Sequence, residues 1–350
     1  MFSQNPVIKK DTIDDPLDYL WQGKQEDQEQ KKQMITQNKI NYEMLLRSFD
    51  RSEFVSFLGA GVSKPLGISD WSNLIDDLLK EANKLGFGGT IPDDKDQYPD
   101  FAERIFKFFE EKGRGSLYFD TITMRMVPSI NSTSLTLVYL TFSLDIHLTT
   151  NFDRSMEYAY RFKEELANLL SSVSKYKKPS LYFLKNFNIS SNGPSIYYLH
   201  GSANEEIYIL KKSDYDMFYP SVSGLEGTSV RVVEDCLKYF YGHKNFIFIG
   251  CSFEDPYVRS FFFDLAKKVE RERFATSSFY NQGGKRYSPR DLKHFLLIED
   301  GNKFIEKYGE EFFSKMEEYY IYPVIYQKNK HIFLEYLFKS LIRNKPEGTL

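Results

Sequence analysis

Short apolar runs alternate along the chain with longer stretches whose apolar residues recur at helical spacing. Phe54 to Leu58, the residues after Asp145, Ser195 to Leu199, Glu206 to Leu210, Asn245 to Ile249, His294 to Ile298 and Ile321 to Tyr326 read as strands. The runs at 54 and 245 are apolar at nearly every position, which suits strands buried on both faces. Helical period marks Leu74, Ile75, Leu78, Leu79, Ala82 and Leu85, with Ser69 or Asp70 as the cap and Gly86, Gly88 and Gly89 as the stop. A second helix carries Phe101, Ile105, Phe108 and Phe109 and ends at Gly113. Others follow the turn at Asn151 and Asp153, start at Asp214, run from Ser229 to Tyr241, begin near Asp255 with Pro256 at the first helical position, and run from His331 to Ile342. Residues 163 to 194 begin helical and become loop-like, and Glu270 to Arg290 reads as a polar loop. Strands alternating with helices imply an α/β fold, a parallel sheet covered on both faces. The helical excursion from about 75 to 142 reads as an inserted helical subdomain. Residues 1–48 read as an N-terminal helical arm, a polar helix or a mobile segment whose end Leu45, Leu46 and Phe49 dock. Because a helix polar all round is rarely stable alone, this arm is expected to pack on a partner or another copy.

The candidate chemistry follows from position. Gly59, Asn151, His200 and Gly250 each stand one or two residues past a predicted strand, and in an open parallel sheet such positions share the edge where ligands bind. Gly59, Gly61 and Ser63 end the first run in a turn leading toward a helix, and free N–H groups with a helix dipole make an anion site. The plainer reading is an ordinary strand-to-helix turn, since the third glycine of a dinucleotide fingerprint is missing and Lys64 precedes Pro65 instead of sitting in a P-loop. His200, with an unperturbed pKa of about 6.5, is the natural proton acceptor at neutral pH, although a lone histidine is more often structural. Asn151 can equally be a turn residue. For Asp153 and Asp255 a helix-capping role is the better reading.

A chain of 350 residues suits one large or two ordinary domains, and 41% apolar with 27% charged residues is a soluble globular composition. The 31 phenylalanines and 25 tyrosines argue against disorder. A net charge of −3 gives no bulk electrostatic footprint for nucleic acid, and the cluster Lys175, Lys177 and Lys178 fits a solvated loop better than a binding patch. Met1 to Asp18 is polar and charged, unlike a secretory signal, and the longest apolar run, from Leu135, is interrupted by Thr136, Thr141 and Ser143. A cytoplasmic protein without membrane contact is the expectation. Cys236 and Cys251 fit that compartment as small core residues and cannot build a four-thiolate zinc site.

Taken in order, Gly59 to Ser63, Gly67 to Trp71, Thr149 to Asp153, Leu199 to Gly201 and Gly250 to Pro256 resemble the sirtuin-like family, specifically its bacterial antiphage-defence branch. The resemblance spans about residues 50 to 345 and implies a Rossmann-like NAD-binding domain over 49–345, with the helical insert inside it. It implies that Gly59, Ala60, Gly61 and Ser63 cradle the pyrophosphate, and that Asp70 and Trp71 border the nicotinamide. By the same resemblance, Asn151 holds the nicotinamide ribose or the attacking water, His200 is the catalytic histidine, and Gly250 and Ser252 line the adenosine side, with Asp153 and Asp255 nearby. Deacylating sirtuins carry a four-cysteine zinc module after the His-Gly motif, whereas the stretch between Gly201 and Gly250 offers Cys236 alone. That departure puts an acetyl-lysine groove in doubt. It leaves cleavage of NAD, as substrate, to nicotinamide and ADP-ribose, a chemistry that requires no metal. A toxic hydrolase needs restraint, and homo-oligomerisation or a separate protein, in family terms a DNA-translocating ATPase, is expected to supply it.

Overall fold

The computed structural model describes residues 16–21, 30–50, 53–126, 133–169, 178–277, 293–300, 305 and 309–343, apart from 185–186, 188–192, 204, 206, 225–230, 252, 254 and 329. Every residue of β1 (Phe54–Leu58) and of β7 (Asn245–Ile249) is buried, in keeping with their nearly continuous apolar runs. β1 pairs on one side with β2 (Ile146–Thr149) and on the other with β7. Beyond β2 lie β4 (Ser195–Tyr198) and β3 (Ser180–Tyr182), and beyond β7 lie β8 (His294–Glu299) and β9 (Ile321–Tyr326). The order β3-β4-β2-β1-β7-β8-β9 is parallel at every pairing. The chain thus builds outward from β1 to one side and returns to the other, which makes the β1/β7 boundary the switch point of a Rossmann-like α/β sheet.

Alternation along β1 sorts the two faces. Phe54 and Leu58 point into a core shared with α5 (Leu135–Ser143), α6 (Ser155–Leu169) and α12 (Ile332–Arg343). Val55 and Phe57 point into the opposite core, built with α7 (Lys212–Phe218), α8 (Pro220–Ser223), α9 (Val232–His243), α10 (Pro256–Ser277) and α11 (Phe312–Glu317). A third apolar cluster belongs to α2 (Trp71–Lys84), α3 (Tyr98–Glu111) and α4 (Ser116–Met126), which close over Phe152, Tyr208 and Leu210. These three helices lie between β1 and β2 in the chain, where the sequence reading expects a helical insert. The α5 segment, which the sequence reading includes in it, packs on the sheet.

Several local expectations change. β3 lies inside the stretch read as helix turning to loop, because three residues with exposed or half-buried side chains give no alternation to read. The strand expected at Glu206 to Leu210 shrinks to β6 (Ile207–Tyr208), which pairs antiparallel with β5 (Gly201–Ser202) outside the main sheet, and Glu206 lies outside the described residues. α10 continues to Ser277, into the segment read as a polar loop.

The N-terminal helix α1 (Gln30–Ser48) uses its polar residues within the chain. Asn38 and Asn41 are buried at 1% and 0% exposure against the outer edge of β9. Asn38 donates to the Ile325 carbonyl at 2.9 Å and accepts from the Ile325 N–H at 2.7 Å, while Asn41 donates to the Pro323 carbonyl at 2.9 Å. Pro323, which lacks an N–H, is tolerated because no described strand pairs with β9 on its outer side at that position, the bridge to Leu20 lying further along at Tyr326. Leu45 is fully buried, with Leu46 and Phe49 packed beside it. Replacing Asn38 by Ala strands the buried Ile325 N–H, so Asn38→Ala is expected to lower unfolding free energy by about 1–3 kcal/mol in urea titration. A loss below about 0.5 kcal/mol would contradict this role for the helix.

Candidate functional site

Two loops meet at the switch point. The Gly59 N–H donates to the Ile249 carbonyl and the Gly61 N–H to the Gly250 carbonyl, each at 3.0 Å. A Cβ at Gly59 would lie 2.6 Å from the Gly250 carbonyl oxygen, and one at Gly61 would lie 2.7 Å from the Gly250 Cα. Gly250 itself has φ +65, and a Cβ there would come within 2.5 Å of the Val62 nitrogen. The three glycines are therefore demanded by backbone packed on backbone. After them the chain makes two 3-10 turns, Ala60–Val62 and Lys64–Leu66, before α2 begins at Trp71, so the turn does not open a helix directly.

Over these loops, at the carboxyl ends of the central strands, lies a cavity of about 580 Å³. Gly59, Ala60, Gly61, Ser63, Asp70, Trp71, Asn151, Asp153, His200, Gly250 and Asp255 all line it. Ser252 lies outside the described residues. The start of the insert forms one wall, and Glu299 and Asp300 at the end of β8 form the far end.

Asn151, in the loop after β2, is held by its amide nitrogen, which donates to the Gly59 carbonyl at 3.0 Å and to Ser63 Oγ at 3.2 Å. A carbonyl acceptor admits only the NH2 group there, so the orientation of the amide is fixed with its oxygen turned away from Gly59. Ser63 also hydrogen-bonds the Asp153 carboxylate, and Asp153 accepts from the Ser155 N–H at 2.8 Å at the start of α6. Burial raises the Asp153 pKa despite these bonds. Asp153 thus ties two loops and a helix start together.

His200 follows β4, the strand next to β2, and is 3% exposed. Its Nε2 is 2.8 Å from the Tyr219 hydroxyl, and the rings of Tyr215 and Tyr219 stand edge-on to the imidazole. Nothing of opposite charge offsets its burial, which pushes its pKa down to about 3. The proton acceptor expected from an unperturbed histidine is therefore a weakly basic imidazole that stays neutral.

The flanking residues explain themselves locally. Asp70 caps α2 by accepting from the Asn73 N–H at 2.9 Å and meets Lys64 Nζ at 2.9 Å; burial opposes its ionisation, but these two partners outweigh it and lower its pKa. Trp71 packs edge-on against Tyr98. Asp255 caps α10 through the Tyr257 and Val258 N–H groups at 2.9 and 3.0 Å, and its other oxygen accepts from the Tyr215 hydroxyl at 2.6 Å. Burial raises the Asp255 pKa. Sequence reasoning missed Tyr215 and Tyr219. Their spacing of four, Tyr215 on α7 and Tyr219 at its C-terminal cap, shortly after the His-Gly pair, is the signal that could have found them. Cys251 also lines the cavity, with burial pushing its thiol pKa up.

With this geometry in hand, comparison with known proteins finds that residues 145–311 match the SIR2-like domain family. It is 24% identical over 328 residues to a protein of Cytobacillus dafuensis named NAD(+) hydrolase ThsA, covering 89% of this chain and 58% of that one. Proteins of the same name from Acinetobacter baumannii and Enterococcus faecium are 25% and 21% identical, over 63% and 76% of this chain and 40% and 54% of their own lengths. The chain thus spans about half the length of these relatives. Among the described residues no helix is long and apolar enough to cross a membrane.

A buried neutral His200 has a measurable signature. Below about 6.5 the unfolded chain takes up a proton at this site that the folded chain refuses until about pH 3, so its contribution to stability is full above 6.5 and shrinks as pH falls. In the folded protein, the ring resonances of His200, assigned by their loss in His200→Ala, are expected to stay flat from pH 5 to 8. A midpoint near 6.5 would overturn this account of the site.

Proposed function

We propose that the protein is an NAD glycohydrolase that cleaves the nicotinamide–ribose bond with water as acceptor and releases nicotinamide and ADP-ribose. The observation that carries the reading is the convergence of the Asn151 amide and the His200 imidazole, from neighbouring strand ends, on one cavity at the switch point. Curated relatives bearing the name NAD(+) hydrolase support the same chemistry.

In this reading the turn at Gly59 to Ser63 receives the pyrophosphate, and Asp70 and Trp71 border the nicotinamide. Asn151, immobilised by Gly59 and Ser63, presents its amide oxygen to the ribose or to the attacking water. Departure of nicotinamide leaves positive charge on the sugar, and a protonated histidine beside it would oppose that charge. The neutral His200 does not, and it can hydrogen-bond a ribose hydroxyl throughout the reaction. Weak basicity shifts its part from proton sink toward orientation. Effector duty in antiphage defence through NAD depletion belongs to the proposal. So does restraint by self-association or by a partner protein.

Incubation with NAD followed by chromatography tests the reading. Wild-type protein is expected to release nicotinamide, and Asn151→Ala and His200→Ala are each expected to lower the rate by about 10²- to 10⁴-fold. Undiminished product from both variants would defeat the site assignment. Tight NAD binding without turnover in any assembly state would instead favour a non-catalytic NAD or ADP-ribose sensor.

A further inference from the structure

Arg259, in the first turn of α10, reaches two parts of the cavity wall that are remote in sequence. Its Nη1 donates to the Phe253 carbonyl at 3.0 Å. Its Nη2 meets the two carboxylate oxygens of Asp96 at 3.1 and 3.3 Å. Phe253 lines the cavity, is 5% exposed, and holds φ +54, a left-handed conformation that a bulky side chain adopts only when its surroundings enforce it. Asp96 belongs to the 3-10 turn Lys95–Gln97 between α2 and α3, and its neighbour Lys95 lines the cavity from the insert side. One guanidinium therefore joins the insert to the strained turn after β7, across the site. Other polar ties of the insert to the body, Ser213 Oγ to Glu103 at 2.6 Å and the Thr123 and Tyr208 hydroxyls at 2.6 Å, engage α7 and β6 instead.

We propose that Arg259 is a positioning residue whose ion pair with Asp96 holds the insert against the body and, through the same side chain, fixes the backbone of the Phe253 turn. Substrate affinity then depends on a pair that touches no substrate. The reading of the substrate as NAD rests on the function proposed above; the mechanical coupling does not. Side-chain exposures of 21% for Arg259 and 48% for Asp96 make it a pair that salt weakens.

Asp96→Asn removes the charge at an exposed position while keeping the shape. In the apo protein, hydrogen exchange is expected to speed up at residues 94–98 and also at 250–258, where Asp96 makes no contact of its own. The KM for NAD is expected to rise about fivefold with kcat unchanged, the upper end for a pair this exposed. Arg259→Ala should produce both effects more strongly. Arg259→Lys, which reaches one partner at a time, should restore only part of the loss. Faster exchange confined to 94–98, with 250–258 and KM unmoved, would overturn the coupling. If wild-type protein fails to cleave NAD, the function falls, while the apo exchange still decides the role of Arg259.

Discussion

The whole site hangs on one close approach of backbone to backbone. Gly59 and Gly61 on one loop and Gly250 on the other pack so tightly that no Cβ fits between them. That contact fixes the ends of β1 and β7 at the point where the sheet changes direction. It also sets the Gly59 carbonyl to which Asn151 is anchored. Glycine here is a packing requirement first, and the shallow floor it leaves is what a large ligand can approach.

Electrostatics sharpen the picture. The cavity brings together buried carboxylates whose oxygens are occupied by helix N-termini, a tyrosine-walled neutral imidazole, and an amide pinned by its donor end. Asp153 and Asp255 spend their hydrogen-bonding capacity on structure, and this explains why acidic residues can sit so deep without a cationic partner on each. At the strand ends after β2 and β4, the side chains left to meet a substrate are the neutral Asn151 and His200. Such an arrangement suits a reaction whose difficulty lies in stabilising a transient cation by orientation, with little call for strong acid or base.

Much of this was legible in the sequence, for a physical reason. Strands buried on both faces must be largely apolar, so β1, β7, β8 and β9 announce themselves, and the residues just past such strands must share an edge. Asn151, His200 and Gly250 were found that way. Where signal was thin, tertiary context decided. β3 is too short and too exposed to alternate, and the asparagines of α1 look like solvent-facing residues until β9 offers carbonyls to bury them against. Burial cannot be read from a histidine letter either, so the low basicity of His200 appears only once Tyr215 and Tyr219 close around it.

The covering of β9 reaches beyond this one molecule. Residues 16–21 add an antiparallel bridge from Leu20 to Tyr326, and Asn38 and Asn41 occupy the remaining backbone groups they face. At the opposite end the sheet terminates in a strand of three residues. Among the described residues, one margin is covered and the other is an edge of three residues, so each presents only a short row of N–H and C=O groups to a foreign strand. The covered end of the sheet is a poor template for cross-strand aggregation, and a three-residue edge at the other end gives such pairing little length to grow on.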